Sequence, residues 1–178
     1  MAFQTKGKYL ITIMGKDRVG VVSAVSNCLF DTGANLADST FAVLGEGFEF
    51  SCVAEFEAKP EIQELESELG VIDVLDGATV SVREFPFQLL RGETGKITHT
   101  VEITGGDRPG LVARMSDVLV EYGANIVRMS SHRTVVDGGF EYRTRFAVNT
   151  ERGRLEALEN ALSNTAGSLR LECSVKSV

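Results

Sequence analysis

Few residues in this 178-residue chain have side chains suited to bond-making chemistry. His99 and His132 are its two histidines, and Cys28, Cys52 and Cys173 its three thiols. Ser130-Ser131-His132, with Asp137 close behind, brings together hydroxyl, imidazole and carboxylate. On an extended chain, however, Ser131 and His132 point to opposite faces, and no activated-nucleophile turn surrounds either serine. The histidines and cysteines show neither C-x-x-C nor H-x-x-x-H spacing, so neither a metal site nor a cofactor is expected. Cys28 falls among helix-spaced residues, where a thiol acts as a small core side chain. Gly45-Glu46-Gly47 has acid where a phosphate loop needs a cation, and reads as a hairpin turn. The chain is therefore not expected to be an enzyme. What remains are two short loops, Gly15-Lys16-Asp17-Arg18-Val19-Gly20 and Gly105-Gly106-Asp107-Arg108-Pro109-Gly110. Glycines let other groups approach the backbone closely. The same spacing is also a good strand-to-helix turn with no ligand at all.

The loops are parts of a longer repeat. Ile13, Gly15, Asp17, Arg18, Gly20, Val22, Ser26, Leu29 and Gly33-Ala34-Asn35 each recur 90 positions later, from Ile103 to Gly123-Ala124-Asn125. Phe50 and Phe56 match Phe140 and Phe146 at the same offset. Two copies suit a duplicated domain, since a solenoid needs three or more units. Around each loop the periods are clear. Ile11 and Ile13, like Val101 and Ile103, lie two apart and predict half-buried strands. Val22, Val25 and Leu29, then Leu111, Met115 and Leu119, are spaced along one face of a helix. Gly33 and Gly123 sit where a left-handed residue would end those helices. Extended segments at 35–44 and 125–136 lead through tight turns into strands at 48–57 and 140–149. Ile62, Leu65, Leu69 and Leu155, Leu158, Leu162 mark a second helix in each copy, and strands near 78–84 and 169–175 close them. Residues 70–75 read equally as helix, loop or strand start.

The order β-α-β-β-α-β, twice, with right-handed crossovers, predicts an α+β chain of two ferredoxin-like domains. Each is a four-stranded antiparallel sheet with both helices on one face. The domains are expected at 1–88 and 96–178, with Phe85-Pro86-Phe87 through Gly92-Glu93-Thr94-Gly95 as linker. Open strand edges ask for cover, so a homodimer or larger assembly is expected.

Charge narrows the partners. Lys plus Arg number 18 and Asp plus Glu 25, a net charge of −7. Residues 1–90 hold 6 basic and 14 acidic side chains, and residues 91–178 hold 12 and 11. No basic cluster is dense enough to track phosphates, so direct nucleic-acid binding is not expected, while an acidic surface suits a basic protein partner. No apolar run approaches the ~20 residues that cross a bilayer, and the first eight residues lack an apolar signal core. With three widely spaced cysteines, this points to a reduced, cytoplasmic protein without membrane attachment.

The doubled loop resembles the G-x-D-x-P-G signature of ACT domains, each followed by a helix and then Gly-Ala-Asn-Leu or Gly-Ala-Asn-Ile. Asn35-Leu36-Ala37-Asp38-Ser39, Leu44-Gly45 and Phe48 further resemble the glycine cleavage repressors, tandem members of that family. Val19 stands where the family has proline, and the second copy keeps the full loop although that domain is often the more degenerate. The resemblance implies an amino-acid-responsive regulator that works through a protein partner such as a transcriptional activator. The alternative it implies is a sensor subunit controlling an amino-acid biosynthetic enzyme. ACT domains pair and hold an amino acid, here glycine as first expectation, at their mutual interface near the first loop and the start of the second strand. The ligand-binding set carried over is Gly15, Lys16, Asp17, Arg18, Val19, Gly20 and Asn35, with Gly105, Gly106, Asp107, Arg108, Pro109, Gly110 and Asn125. The residue types suit this role. Free N–H groups at a helix start hold a carboxylate, and Asn35 and Asn125 have both donor and acceptor atoms. Asp17 and Asp107 would attract an ammonium or cap their helices. Pro109 suits the first helical position, and Gly106 is less obstructive than Lys16. The second loop, with Asn125, is therefore expected to bind the more tightly.

Overall fold

The computed structural model describes residues 6–106 and 108–178, so Asp107 lies outside the described residues. The chain divides into two compact units, residues 1–89 and 90–178. Unit 1 runs β1 (Gly7–Lys16), α1 (Val21–Asp31), β2 (Ala34–Leu44), β3 (Gly47–Phe56), α2 (Ile62–Gly70) and β4 (Thr79–Glu84). Unit 2 runs β5 (His99–Gly106), α3 (Leu111–Glu121), β6 (Asn125–Val136), β7 (Gly139–Asn149), α4 (Leu155–Ser168) and β8 (Leu171–Ser177). Strand orders are β2-β3-β1-β4 and β6-β7-β5-β8, and among the described residues neighbouring strands pair antiparallel. These are two βαββαβ units of the α+β class. The ambiguous 70–75 stretch resolves as the end of α2 followed by a 3-10 turn, Asp73–Leu75, whose Leu75 is buried.

Alternation along β1 explains the core. Tyr9, Ile11 and Ile13 are buried, and Val21, Val25 and Leu29 of α1 and Leu65 and Leu69 of α2 pack against them. In unit 2 the same layer holds Val101 and Ile103 with Leu111, Met115, Leu119, Leu158 and Leu162. Each such side chain contributes about 1.5–3 kcal/mol on burial, which anchors the helices to one face.

The pairing register corrects one part of the repeat. Ile13 faces Phe50, but its copy Ile103 faces Thr144, so the third strands are related by an offset of 94, not 90. The second hairpin is longer, with β6 and β7 each reaching two residues further toward the turn. Phe50 and Phe56 therefore correspond to Thr144 and Thr150, and their match to Phe140 and Phe146 is coincidence of spacing.

That shift exposes a difference between the cores. Buried Tyr9, Phe50 and Phe56 of unit 1 become His99, Thr144 and Thr150, the buried polar residues among the described part of unit 2. Tyr9 and Phe56 meet edge to face at 5.7 Å, and the Tyr9 hydroxyl donates to Pro60 O at 2.8 Å. In their place the His99 ring and the Thr98 hydroxyl lie 3.0 Å apart, and the Thr150 N–H donates to Thr98 Oγ1. Ser131 Oγ and Thr144 Oγ1 are hydrogen-bonded at 2.9 Å. The volume lost at Thr144 is offset from the helix side, where Val21 and Val25 are replaced by the larger Leu111 and Met115.

Candidate functional site

Both first loops leave a strand whose last pairs are Lys16 with Gly47 and Gly106 with Glu141. Gly15 is needed for packing, because a Cβ there would lie 2.8 Å from the Ala78 Cβ and 3.1 Å from the Phe48 ring. The loop then turns sharply. Gly20 has φ 96° and Gly110 φ 81°, left-handed values that disfavour any side chain. With ψ 3°, Gly110 fits the third position of a type II turn, and the Leu111 N–H donates to Arg108 O at 3.2 Å to close it. Pro109 therefore occupies the second turn position, where its fixed φ is favourable, rather than the first helical position expected from sequence. The helix itself begins at Leu111, because left-handed Gly110 cannot be its first residue. Val19, fully exposed, fills the same place in the other copy, so proline presets this turn but is not required for it.

The remaining loop residues divide by task. The Asp17 N–H donates to Glu46 O at 2.9 Å, tying the loop to the hairpin turn. Arg18 reaches the carbonyls of Asp73 and Asp76, at 3.3 and 3.5 Å, and so binds the loop to the α2–β4 connection. Lys16, Asp17, Arg18, Gly106 and Arg108 are all exposed. Among the described residues neither α1 nor α3 receives a side-chain cap, so the capping role expected of Asp17 is not realised, and that of Asp107 falls outside the described residues. Helix geometry leaves the N–H groups of Val22 and Ser23, and of Val112 and Ala113, without intrahelical acceptors. Such groups suit an anion.

The asparagines lie elsewhere. Gly15 pairs with Phe48, whereas Asn35 pairs with Glu55, seven residues along β3 and about 24 Å away at ~3.4 Å per residue. Gly105 with Tyr142 and Asn125 with Asn149 repeat this separation in unit 2. Within one domain, loop and asparagine stand at opposite ends of the sheet. One amino acid cannot span both. The two asparagines also differ. Asn125 Nδ2 donates to Thr94 O at 2.8 Å, and Asn149 Nδ2 to Glu93 O and Lys96 O, which together hold the segment before β5. Asn35, also exposed, makes no side-chain hydrogen bond among the described residues. The expected advantage of the second loop is thus opposed by its own asparagine, which would have to release Thr94. No sequence signal revealed this, because the two Gly-Ala-Asn motifs are identical.

The other reactive side chains stay apart. Ser131 faces the helix side against Thr144, while His132 is exposed opposite Arg143. Burial pushes the Cys52 and Cys173 thiols up to about 11. Among the described residues no helix is long and apolar enough to cross a membrane.

Comparison with known proteins agrees with this geometry. The ACT domain profile matches residues 8–73 and again residues 99–167. A UPF0237 protein of Streptococcus mutans is 33% identical over 76 residues, covering 43% of this chain and 82% of its own length. A UPF0237 protein of Streptococcus pneumoniae is 32% identical over the same shares. An unknown protein from Galdieria sulphuraria superposes with a TM-score of 0.75 at 24% identity, over 98% of this chain and 99% of its own. A provisionally assigned glycine cleavage system transcriptional repressor superposes at 0.68 and 18% identity, over 97% and 98%. At these identities the two structures establish a shared tandem fold. With the loop, helix and Gly-Ala-Asn geometry present twice, this chain belongs to the ACT domain family, with two ACT domains in tandem.

Proposed function

We propose that the chain is a non-catalytic regulator that senses a small amino acid, glycine first, and acts on a protein partner such as a transcriptional activator. The observation that carries this reading is the placement of complementary groups at opposite ends of an open-edged sheet. β2 is an edge strand, and from Ser39 to Leu44 it carries no charge to discourage pairing. Antiparallel pairing of β2 with β2 of a second chain would set the loop end of one sheet beside the Asn35 end of the other. The helix-start N–H groups then hold the carboxylate of the amino acid. Asn35 accepts from its ammonium through Oδ1 and donates through Nδ2. Gly15, Lys16, Asp17, Arg18, Val19 and Gly20 would shape this site, and the 105–110 loop with Asn125 would form a weaker counterpart.

Such a site is complete only in the paired state, so ligand and association are linked. The likeness in fold to a provisionally assigned repressor supports the regulatory side of the reading. A thermal-shift screen of the common amino acids, followed by sedimentation with and without the best of them, tests it. A ligand at ~100 times its dissociation constant adds about 2.7 kcal/mol to the native state. One small amino acid should raise the melting temperature and favour the dimer. No shift with any amino acid at millimolar concentration would overturn the proposal.

A further inference from the structure

Between Arg18 and Arg83 the chain has twelve acidic side chains and one cation, Lys59, which is paired with Glu84. The helical layer of unit 1 concentrates this imbalance. α1 and α2 contain no basic residue, and a hollow of about 530 Å³ is lined by Cys28, Asp31, Glu64, Leu65, Glu68 and Val71, among others. Two of its acids are placed unfavourably for the isolated chain, while Glu64 lies in the first turn of α2, where the dipole favours it. Asp31 ends α1 and Glu68 lies in the last turn of α2, both against the negative end of the helix dipole. Glu64 and Glu68 are four apart on one helix, a repulsive spacing. Asp31, Glu64 and Glu68 have no ion-pair partner among the described residues. By contrast Glu66 is accounted for, since it accepts the Val82 N–H at 3.1 Å. The hollow also has an apolar side, made by buried Leu65, half-buried Cys28 and Val71, which is 79% exposed.

We propose that this α1–α2 groove docks a cationic amphipathic helix of a protein partner, apolar residues against Leu65 and Val71, Lys or Arg against Asp31, Glu64 and Glu68. Charge selects that occupant. Nucleic-acid phosphates, anionic lipids and the same face of a second copy all carry the repelled sign. No group of three metal-binding side chains is assembled among the described residues. A helix in a groove, read by anchors at i and i+3 or i+4, fits a cleft between two helices. The groove rests on the preceding reading only in taking the partner to be a protein.

A fluorescent Leu/Lys amphipathic peptide of about 18 residues, titrated into the full chain by anisotropy, provides the test, with no amino acid in the buffer. Asp31→Asn/Glu64→Gln/Glu68→Gln should weaken binding at least tenfold. Glu46→Gln/Glu49→Gln/Glu55→Gln, an equal charge change elsewhere, should alter it less than twofold. Cys28 supplies a second measurement, because a seated peptide should slow its alkylation by a maleimide while Cys173 is unaffected. Equal weakening by both triple variants, or Cys28 alkylation at an unchanged rate under saturating peptide, would overturn the groove assignment. Amino-acid binding by the loop would stand or fall separately.

Discussion

Replacing each asparagine in turn separates a structural from a ligand-binding role. Asn125→Ala removes the donor to Thr94 O at 2.8 Å, an exposed hydrogen bond worth about 0.5–1 kcal/mol. Asn149 still holds Glu93 O and Lys96 O, which keeps the loss at the low end. For a domain of this size, each kcal/mol lowers the melting temperature by about 4–8 °C, so a drop of roughly 2–6 °C is expected. Asn35→Ala breaks no hydrogen bond among the described residues and should shift melting by about 1 °C or less. Binding should behave in the opposite way. Hydrogen bonds to a charged ligand are worth about 1.5–3 kcal/mol, so Asn35→Ala should weaken amino-acid affinity by roughly 10–150-fold. Asn125→Ala should change it by about threefold or less. Differential scanning calorimetry and isothermal titration on both variants measure the two quantities. If Asn125→Ala weakens binding as much as Asn35→Ala, Asn35 is not the ligand-binding asparagine. If Asn35→Ala melts early with affinity intact, the assignment of roles is reversed.

Other consequences can be checked on the same protein. Phe50→Thr, which copies the residue of unit 2, should cost about 3–5 kcal/mol in urea unfolding, and adding Val21→Leu and Val25→Met should restore at least about 1 kcal/mol; no recovery would refute the compensating volumes. Gly110→Ala should destabilise by about 1–2 kcal/mol because φ is 81°, although nothing lies within 4 Å of the added methyl; a neutral result would contradict the left-handed turn. Arg145 donates to Glu102 at 3.1 and 2.5 Å and holds that carboxyl below its usual range. A carboxyl depressed by folding adds stability above its unfolded pKa of about 4.3, and this is lost as pH falls through the folded value. Glu102→Gln should therefore lower the urea midpoint at pH 7 and converge with the parent at about pH 3; a constant difference across that range would exclude the ion pair as the cause.

Much of this protein is determined by local pattern. Two-residue alternation at Ile11 and Ile13 and helical spacing at Val25 and Leu29 each depend on which face a segment buries, so the order of elements was legible along the chain, although Val21 heads the buried stripe of α1 and the expected Val22 is exposed. Gly33 and Gly123 likewise end their helices with φ of 83° and 73°, a backbone demand that only the residue itself answers. The loops, too, were recognisable twice over. Tertiary structure alone decided what those motifs face. A hairpin lengthened by four residues moved Thr144, not Phe140, into the place of Phe50, because register is set by the partner strand and not by distance along the chain. Pro109 joined a turn rather than a helix because the conformation of Gly110 came first. Identical Gly-Ala-Asn motifs acquired different roles when the segment before β5 came to lie against only one of them. Each loop and its asparagine, 20 residues apart from Gly15 to Asn35, were carried to opposite ends of a sheet, since a helix returning alongside β1 starts the next strand at the far end.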